Sequence, residues 1–422
     1  MFYILWDEAH LWGVLMLRAL GAWGLPARLI RSREVAAGIL TDAAPAVFVV
    51  PGGFASRKAM SLTPAGLAGV RDYVRSGGAY LGVCGGAGLG LTVPGGLGLC
   101  PWTREPFAHR LQHFASGTVE LVPRPSAFTP KDISRPTAPI WWPAKFRPGD
   151  PGVETVAAYG PKNPDFMMAD IPLSLVPQDA LEDWETLYGV RLAPAFDAGD
   201  PCIVAGRFGK GRYVLSHAHL ETPGSPEANA WLGYILAELA GISLAPTLAA
   251  PAWNIGQGDP AFDNPALKKS MERMLQLVAL GQAHGLLDWR EPWLLGWRQG
   301  LPGAALSGIL AMLDCALAMA PTDASRRFFE RKQSEFVRNM DLLAKGLSGY
   351  LLAERLALTL SRVDPEAVPE RGLREAKLTL FGPPPGAGGL SGGLCGAVLS
   401  ILEEYIFLTG REGLAALTSP RA

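Results

Sequence analysis

Residues 79–90, AYLGVCGGAGLG, restrict the fold of this chain more than any other stretch. The apolar run Ala79 to Val83 ends at one cysteine, Cys84, set between Gly82 and Gly85-Gly86. An apolar strand followed by G-x-C-x-G describes a sharp strand-to-helix turn, a nucleophile elbow. Small neighbours let the backbone pass through strained angles and leave the central side chain exposed. A cysteine there stands at a helix N-terminus, where free N–H groups and the dipole favour a thiolate. The competing reading is a buried thiol in a glycine-rich turn, since cysteine is among the most buried residue types.

Two further strand ends complete a chemical set. Residues 213–221, YVLSHAHLE, form an apolar strand ending in two histidines and a glutamate. His219 and Glu221 are spaced as a base and its orienting carboxylate. His217 competes for the base role, because residues two apart on a strand face the same side; His219 is preferred for its place in H-x-E. Residues 46–53, AVFVVPGG, end a third strand in a glycine loop. The backbone N–H groups of Gly53 and Gly85 are therefore the expected oxyanion donors. Sites in open parallel sheets form at such strand ends. The expected triad is Cys84, His219 and Glu221.

The order PGG, GxCxG, HxE resembles the class I glutamine amidotransferase-like superfamily. The segments SGGAYLGVCGGA (76–87), GGLGL (95–99), GKGRYVLS (209–216) and HLE (219–221) are similar to the amidotransferase-like N-terminal domain of biotin–protein ligases. In that family the last motif is usually His-Pro-Glu; here Leu220 replaces the proline and the spacing is kept. The resemblance implies a flavodoxin-like α/β fold, a parallel sheet with helices on both faces. It also implies a cysteine that attacks the side-chain amide of glutamine and releases ammonia to a synthase. Biotin transfer is not expected, because no biotin-ligase catalytic domain and no P-loop-type glycine loop are recognisable downstream.

Strands are expected at Phe2 to Trp6, Ala27 to Arg31, Pro45 to Val50 and Ala79 to Val83, with helices between them at Leu11 to Trp23 and Leu62 to Arg75, the latter capped by Thr63. This alternation argues for a parallel α/β sheet. Short strands around Gly117–Val122, Ile140–Trp142 and Thr155–Ala158 fit antiparallel additions, and Phe208-Gly209-Lys210-Gly211 signals a hairpin. A helix from Glu227 to Leu239 closes this domain, placed at residues 1–245. Residues 246–262 are rich in proline and glycine and read as a linker. Residues 263–422 read as all-α, with helices at about 263–285, 302–320, 322–346, 348–362 and 394–409. Phe329, Phe336, Met340 and Leu343 mark one apolar helix face.

Composition narrows the function. Thirty-eight basic and thirty-nine acidic residues give a formal charge of −1 with no basic run, so no nucleic-acid surface is expected. Five scattered cysteines without C-x-x-C indicate neither zinc nor a disulfide framework, and point to a reducing, cytoplasmic setting. The N-terminus meets acids at once and reads as a strand rather than a signal peptide. The apolar stretch 302–320 is interrupted by Asp314 and reads as a buried bundle helix, so no membrane span is expected.

The remaining candidates are weaker. Asp7 and His10 follow the first strand and either face the cleft or simply start a helix. Trp142, beside Trp141, either walls a pocket or fills the core. His109 and His113 have metal spacing but no third ligand type nearby, so no metal and no cofactor are expected. The expected activity is hydrolysis of a small-molecule amide by a Cys-His-Glu triad. The alternative is a non-catalytic binding or regulatory module. In either case the helical domain is expected to serve homo-oligomer assembly or docking of a partner protein.

Overall fold

Four parallel pairings build the centre of the N-terminal sheet. Phe2–Leu5 lies between Ala27–Ile30 and Val47–Val50. Val47–Val50 pairs with Ala79–Val83, which pairs with Gly211–Ser216. The sequences FYIL, VFVV and AYLGV are apolar at nearly every position and buried throughout. That pattern belongs to strands covered on both faces. The structure is a computed structural model. It describes all residues except 105–114, 143, 169–170, 178, 190–195, 246–247, 297–302, 384–391 and 412–422.

Beyond Gly211–Ser216 the sheet turns antiparallel. A two-residue turn at Gly209-Lys210 returns the chain into Pro201–Phe208, and Glu154–Lys162 and Ala115–Pro123 follow in antiparallel register. Thr137–Trp141 and Met167–Met168 both pair with Ala115–Pro123, and Ile171–Pro172 forms the edge. The eleven-stranded sheet is therefore mixed, not wholly parallel. Short hairpin loops cannot make the crossovers that parallel strands need.

Alternate side chains feed two cores. Tyr3, Leu5, Phe48, Val50, Tyr80 and Leu215 cluster with Leu62, Val70 and Val74 of the helix Ala55–Arg75. Their neighbours Ile4, Val47, Val49, Leu81 and Val83 are equally buried, and so face the opposite side. Helix His10–Ala22 packs on the first two strands, and Pro226–Ala240 on Val47–Val50, Ala79–Val83 and Gly211–Ser216. The helix Ala55–Arg75 begins about two turns before the expected start at Leu62. Thr63 (φ 60°, ψ 168°) and Pro64 break it where the second helical segment begins, because proline suits only a first helical turn.

The chain divides into two compact units, Met1–Ala252 and Trp253–Glu412. The second holds helices Pro265–Ala283, Gly303–Ala318, Asp323–Val363, Glu370–Phe381 and Gly393–Gly410. Three details correct the sequence reading. The two helices expected between 322 and 362 are one helix of 41 residues. Gly346 and Gly349 cost it propensity but supply no stop signal. A helix at Glu370–Phe381 was not expected; only its Leu380 and Phe381 are buried, so its apolar signal is short. A small hairpin, Trp289–Glu291 with Leu294–Leu295, interrupts the helices. Among the described residues, Gly393–Gly410 is long and apolar enough by composition to cross a membrane, and much of it is buried inside its unit. The 384–391 part of the glycine-proline loop lies outside the described residues.

Asp314, which breaks the apolar pattern of its helix, has a structural explanation. Its carboxylate accepts hydrogen bonds from Trp253 Nε1 at 2.7 Å and the Gly256 amide at 2.8 Å. It pins the chain entering the helical unit. Asp314→Ala is expected to lower the stability of that unit by about 1–3 kcal/mol, since two donors lose a charged acceptor. Asp314→Asn, which keeps a carbonyl oxygen, loses less. Equal urea midpoints for the wild type and the alanine variant would contradict this account.

Candidate active site

The elbow is built by backbone crowding. Cys84 follows the buried strand Ala79–Val83 with φ 51° and ψ −105°, and caps the short helix Gly85–Gly90. Its amide still pairs with the Ser216 carbonyl at 2.7 Å, so the strained turn begins at the end of the sheet. A side chain on Gly85 would place Cβ 1.8 Å from the Gly53 carbonyl oxygen. Gly53 itself has φ +117°, and its Cβ would lie 2.2 Å from the Glu8 carbonyl oxygen. Only glycine permits these approaches. The turns after three strands therefore press together. Neither amide makes a hydrogen bond among the described residues.

His219 is placed by the strand Gly211–Ser216 and held from outside it. Its amide donates to the Pro139 carbonyl at 3.0 Å. Its ring stacks on Trp12, with centroids 4.0 Å apart. Nδ1 lies 2.8 Å from Glu221 Oε1, and both side chains are wholly buried. Nε2 is also buried and makes no hydrogen bond among the described residues. Burial is the largest single influence and opposes the charged ring, but the Glu221 carboxylate and the Cys84 sulfur together outweigh it and lift the pKa of His219 to about 10. The Cys84 sulfur adds a push in the same direction without a hydrogen bond of ordinary geometry to Nε2. The thiol is half-buried and donates to the Trp141 carbonyl at 3.8 Å.

The other candidates surround this group in different roles. His217 stacks on Phe146 at 4.1 Å, and its buried Nε2 has no hydrogen bond among the described residues. Burial, then the Arg104 guanidinium, then His219 lower its pKa to about 3, which suits it poorly as a proton acceptor near neutrality. Asp7 is committed to the fold: its carboxylate binds Arg31 Nη1 at 2.7 Å and the Ser32 amide. His10 opens helix His10–Ala22 with φ 40°. Burial, with Lys58, Arg57 and Arg31 nearby, lowers its pKa to about 4. Trp142, at φ 54°, packs its ring 4.7 Å from Phe54, whose residue precedes helix Ala55–Arg75.

Several contributors carried no sequence signal. Trp12 reads as one more apolar position of its helix, yet it is the ring beneath His219. Lys58 is wholly buried and donates to the Asp7 and Glu8 carbonyls at 3.2 and 3.0 Å, fixing the first strand-end turn. Arg104 is isolated in sequence; its Nη1 lies 3.4 Å from where a Gly88 side chain would begin. Cys100, Cys202 and Cys395 are buried, and burial raises the pKa of each. Among the described residues no cluster of three or more His, Cys, Asp or Glu side chains is arranged to hold a metal. His109 and His113 lie outside the described residues.

A family model described as "Biotin-protein ligase, N terminal" matches residues 41–92, which contain both PGG and GxCxG. Over those residues the chain is similar to that family. No curated protein sequence matches it. Among solved structures, a glutamine amidotransferase is 21% identical with a TM-score of 0.37, over 57% of this chain and 99% of its own. The β-galactosidase of Bacillus circulans sp. alkalophilus is 14% identical with a TM-score of 0.33, over 58% of this chain and 31% of its own.

These histidines give stability two pH limits. His219 binds its proton more tightly folded than unfolded, so its contribution is complete below the unfolded value of about 6.5 and lost as pH rises through about 10. His10 and His217 are depressed when folded, so their contributions hold above about 6.5 and fade as pH falls toward about 4 and about 3. In Glu221→Gln, only the Cys84 sulfur still acts against burial on His219, and the alkaline loss that it causes should shrink. Urea midpoints at pH 6, 8 and 10 test this; equal alkaline slopes in wild type and variant would refute it.

Proposed function

We propose that this protein is a cysteine-dependent amide hydrolase of the amidotransferase-like fold, with Cys84 as nucleophile, His219 as acid and base, and Glu221 as its orienting carboxylate. The observation that carries the reading is the state of His219. One ring nitrogen is locked by a buried carboxylate, and the other is buried and unpartnered beside a strained cysteine turn. A buried polar atom left without a partner costs about 1–3 kcal/mol; a reaction that uses Nε2 gives it a purpose.

In this reading the sulfur leaves the Trp141 carbonyl by side-chain rotation, passes its proton to His219 Nε2 and attacks the amide carbonyl. The Gly53 and Gly85 amides hold the oxyanion, each such donor being worth about 3 kcal/mol of barrier. His219 protonates the leaving nitrogen, the C–N bond breaks, and a thioester remains on Cys84. His219 then takes a proton from water, which attacks the thioester; the C–S bond breaks, a carboxylic acid leaves and His219 returns the proton to the Cys84 sulfur. Ammonia is the other product when the amide is primary. Glu221 keeps Nε2 directed at the reacting groups throughout.

A second reading, a binding module that keeps the fold without turnover, is favoured by the thiol bonding the Trp141 carbonyl rather than His219. One experiment separates the two. Iodoacetamide is expected to label Cys84 faster than N-acetylcysteine at pH 7. Cys84→Ala is expected to lose both the label and ammonia release from glutamine or another primary amide, with turnover down by about 10⁴-fold or more. Unchanged ammonia release in that variant would refute the catalytic assignment. Labelling no faster than the small thiol, with no amide turned over, would support the binding module.

A further inference from the structure

A second orphaned nitrogen lies close to the elbow, and the catalytic reading does not use it. His217 Nε2 is buried without a hydrogen bond among the described residues. The ring is fixed by two contacts: its backbone amide donates to the Cys202 carbonyl at 2.9 Å, and Phe146 stacks on it. Phe146 pairs in a short antiparallel ribbon with Arg104. The guanidinium of Arg104 is thereby laid over the elbow helix at Gly88, one turn from Cys84. Its charge acts on both the Cys84 sulfur and the His217 ring. A neutral imidazole and a half-buried guanidinium are thus gathered near the elbow.

We infer that Arg104 and His217 form a carboxylate subsite beside Cys84, so that the amide substrate is a net anion carrying a carboxylate near its scissile carbonyl. The inference rests on the cysteine-hydrolase reading and names the substrate class for it. Guanidinium and carboxylate match in charge and shape. As the Nε2–H tautomer, His217 donates one neutral hydrogen bond to the same carboxylate and so satisfies its orphaned nitrogen. Arg104 is a specificity-determining residue in this scheme; it takes no part in bond making.

Alkylation of Cys84 tests the subsite without requiring turnover. The sulfur displaces iodide from iodoacetate and iodoacetamide alike, and only the first carries a carboxylate. The ratio of the two rates at Cys84 is expected to exceed that of N-acetylcysteine by about tenfold, the scale of one charge-assisted hydrogen bond. Arg104→Gln is expected to bring the ratio back to that of the small thiol, and Arg104→Lys to restore part of it. On the wild-type protein, succinate is expected to slow iodoacetamide labelling, and its neutral analogue succinamide is not. A wild-type ratio equal to the small thiol's, a ratio untouched by Arg104→Gln, or equal protection by succinate and succinamide would overturn the subsite while leaving the nucleophile standing. Failure of iodoacetamide itself to label Cys84 would overturn both.

Discussion

The contact between Gly85 and the Gly53 carbonyl is the constraint on which the site depends. There is no room for even a methyl group between the elbow and the neighbouring turn. The parallel strands Val47–Val50 and Ala79–Val83 set the distance, and the glycines let both chains use it. This crowding keeps Cys84 at a positive φ that a non-glycine residue rarely adopts. The strain is offset by the buried strands behind it, whose apolar side chains fill both cores.

Charge is distributed around this rigid turn in two different ways. His219 and Glu221 are buried together, so the carboxylate, with the Cys84 sulfur, compensates the charged ring that burial alone would forbid. His217, only two residues earlier, is influenced by no carboxylate among the described residues and feels Arg104 instead. The same strand end thus presents one histidine suited to holding a proton and one suited to staying neutral. Identical side chains take opposite states because their neighbours differ in sign.

The antiparallel half of the sheet also shapes the site. Thr137–Trp141 is distant from the elbow in sequence and carries no recognisable motif. Its Pro139 carbonyl nevertheless anchors the His219 amide, and its Trp141 carbonyl receives the Cys84 thiol. The parallel strands carry Cys84 and lead to His219; the antiparallel extension supplies the carbonyls that hold them. Phe146, just beyond that strand, does the same for His217.

Much of the N-terminal unit was legible because the signals were local. Buried parallel strands leave apolar runs, elbows need small residues, and H-x-E keeps its spacing; each can be read within a few residues. The long helix Asp323–Val363 was read as two because glycines weaken a helical pattern without stating whether the helix ends. The roles of Trp12, Arg104, Lys58 and Asp314 were not legible, since each acts on residues far along the chain. By itself, the sequence determined the α/β class and the chemical types at the strand ends, because backbone geometry and burial leave periodic marks in neighbouring residues. Which histidine meets a carboxylate, where the thiol's hydrogen bond goes and which cation approaches the elbow were decided only by tertiary structure. Electrostatics depends on distance in space, and sequence order does not record it.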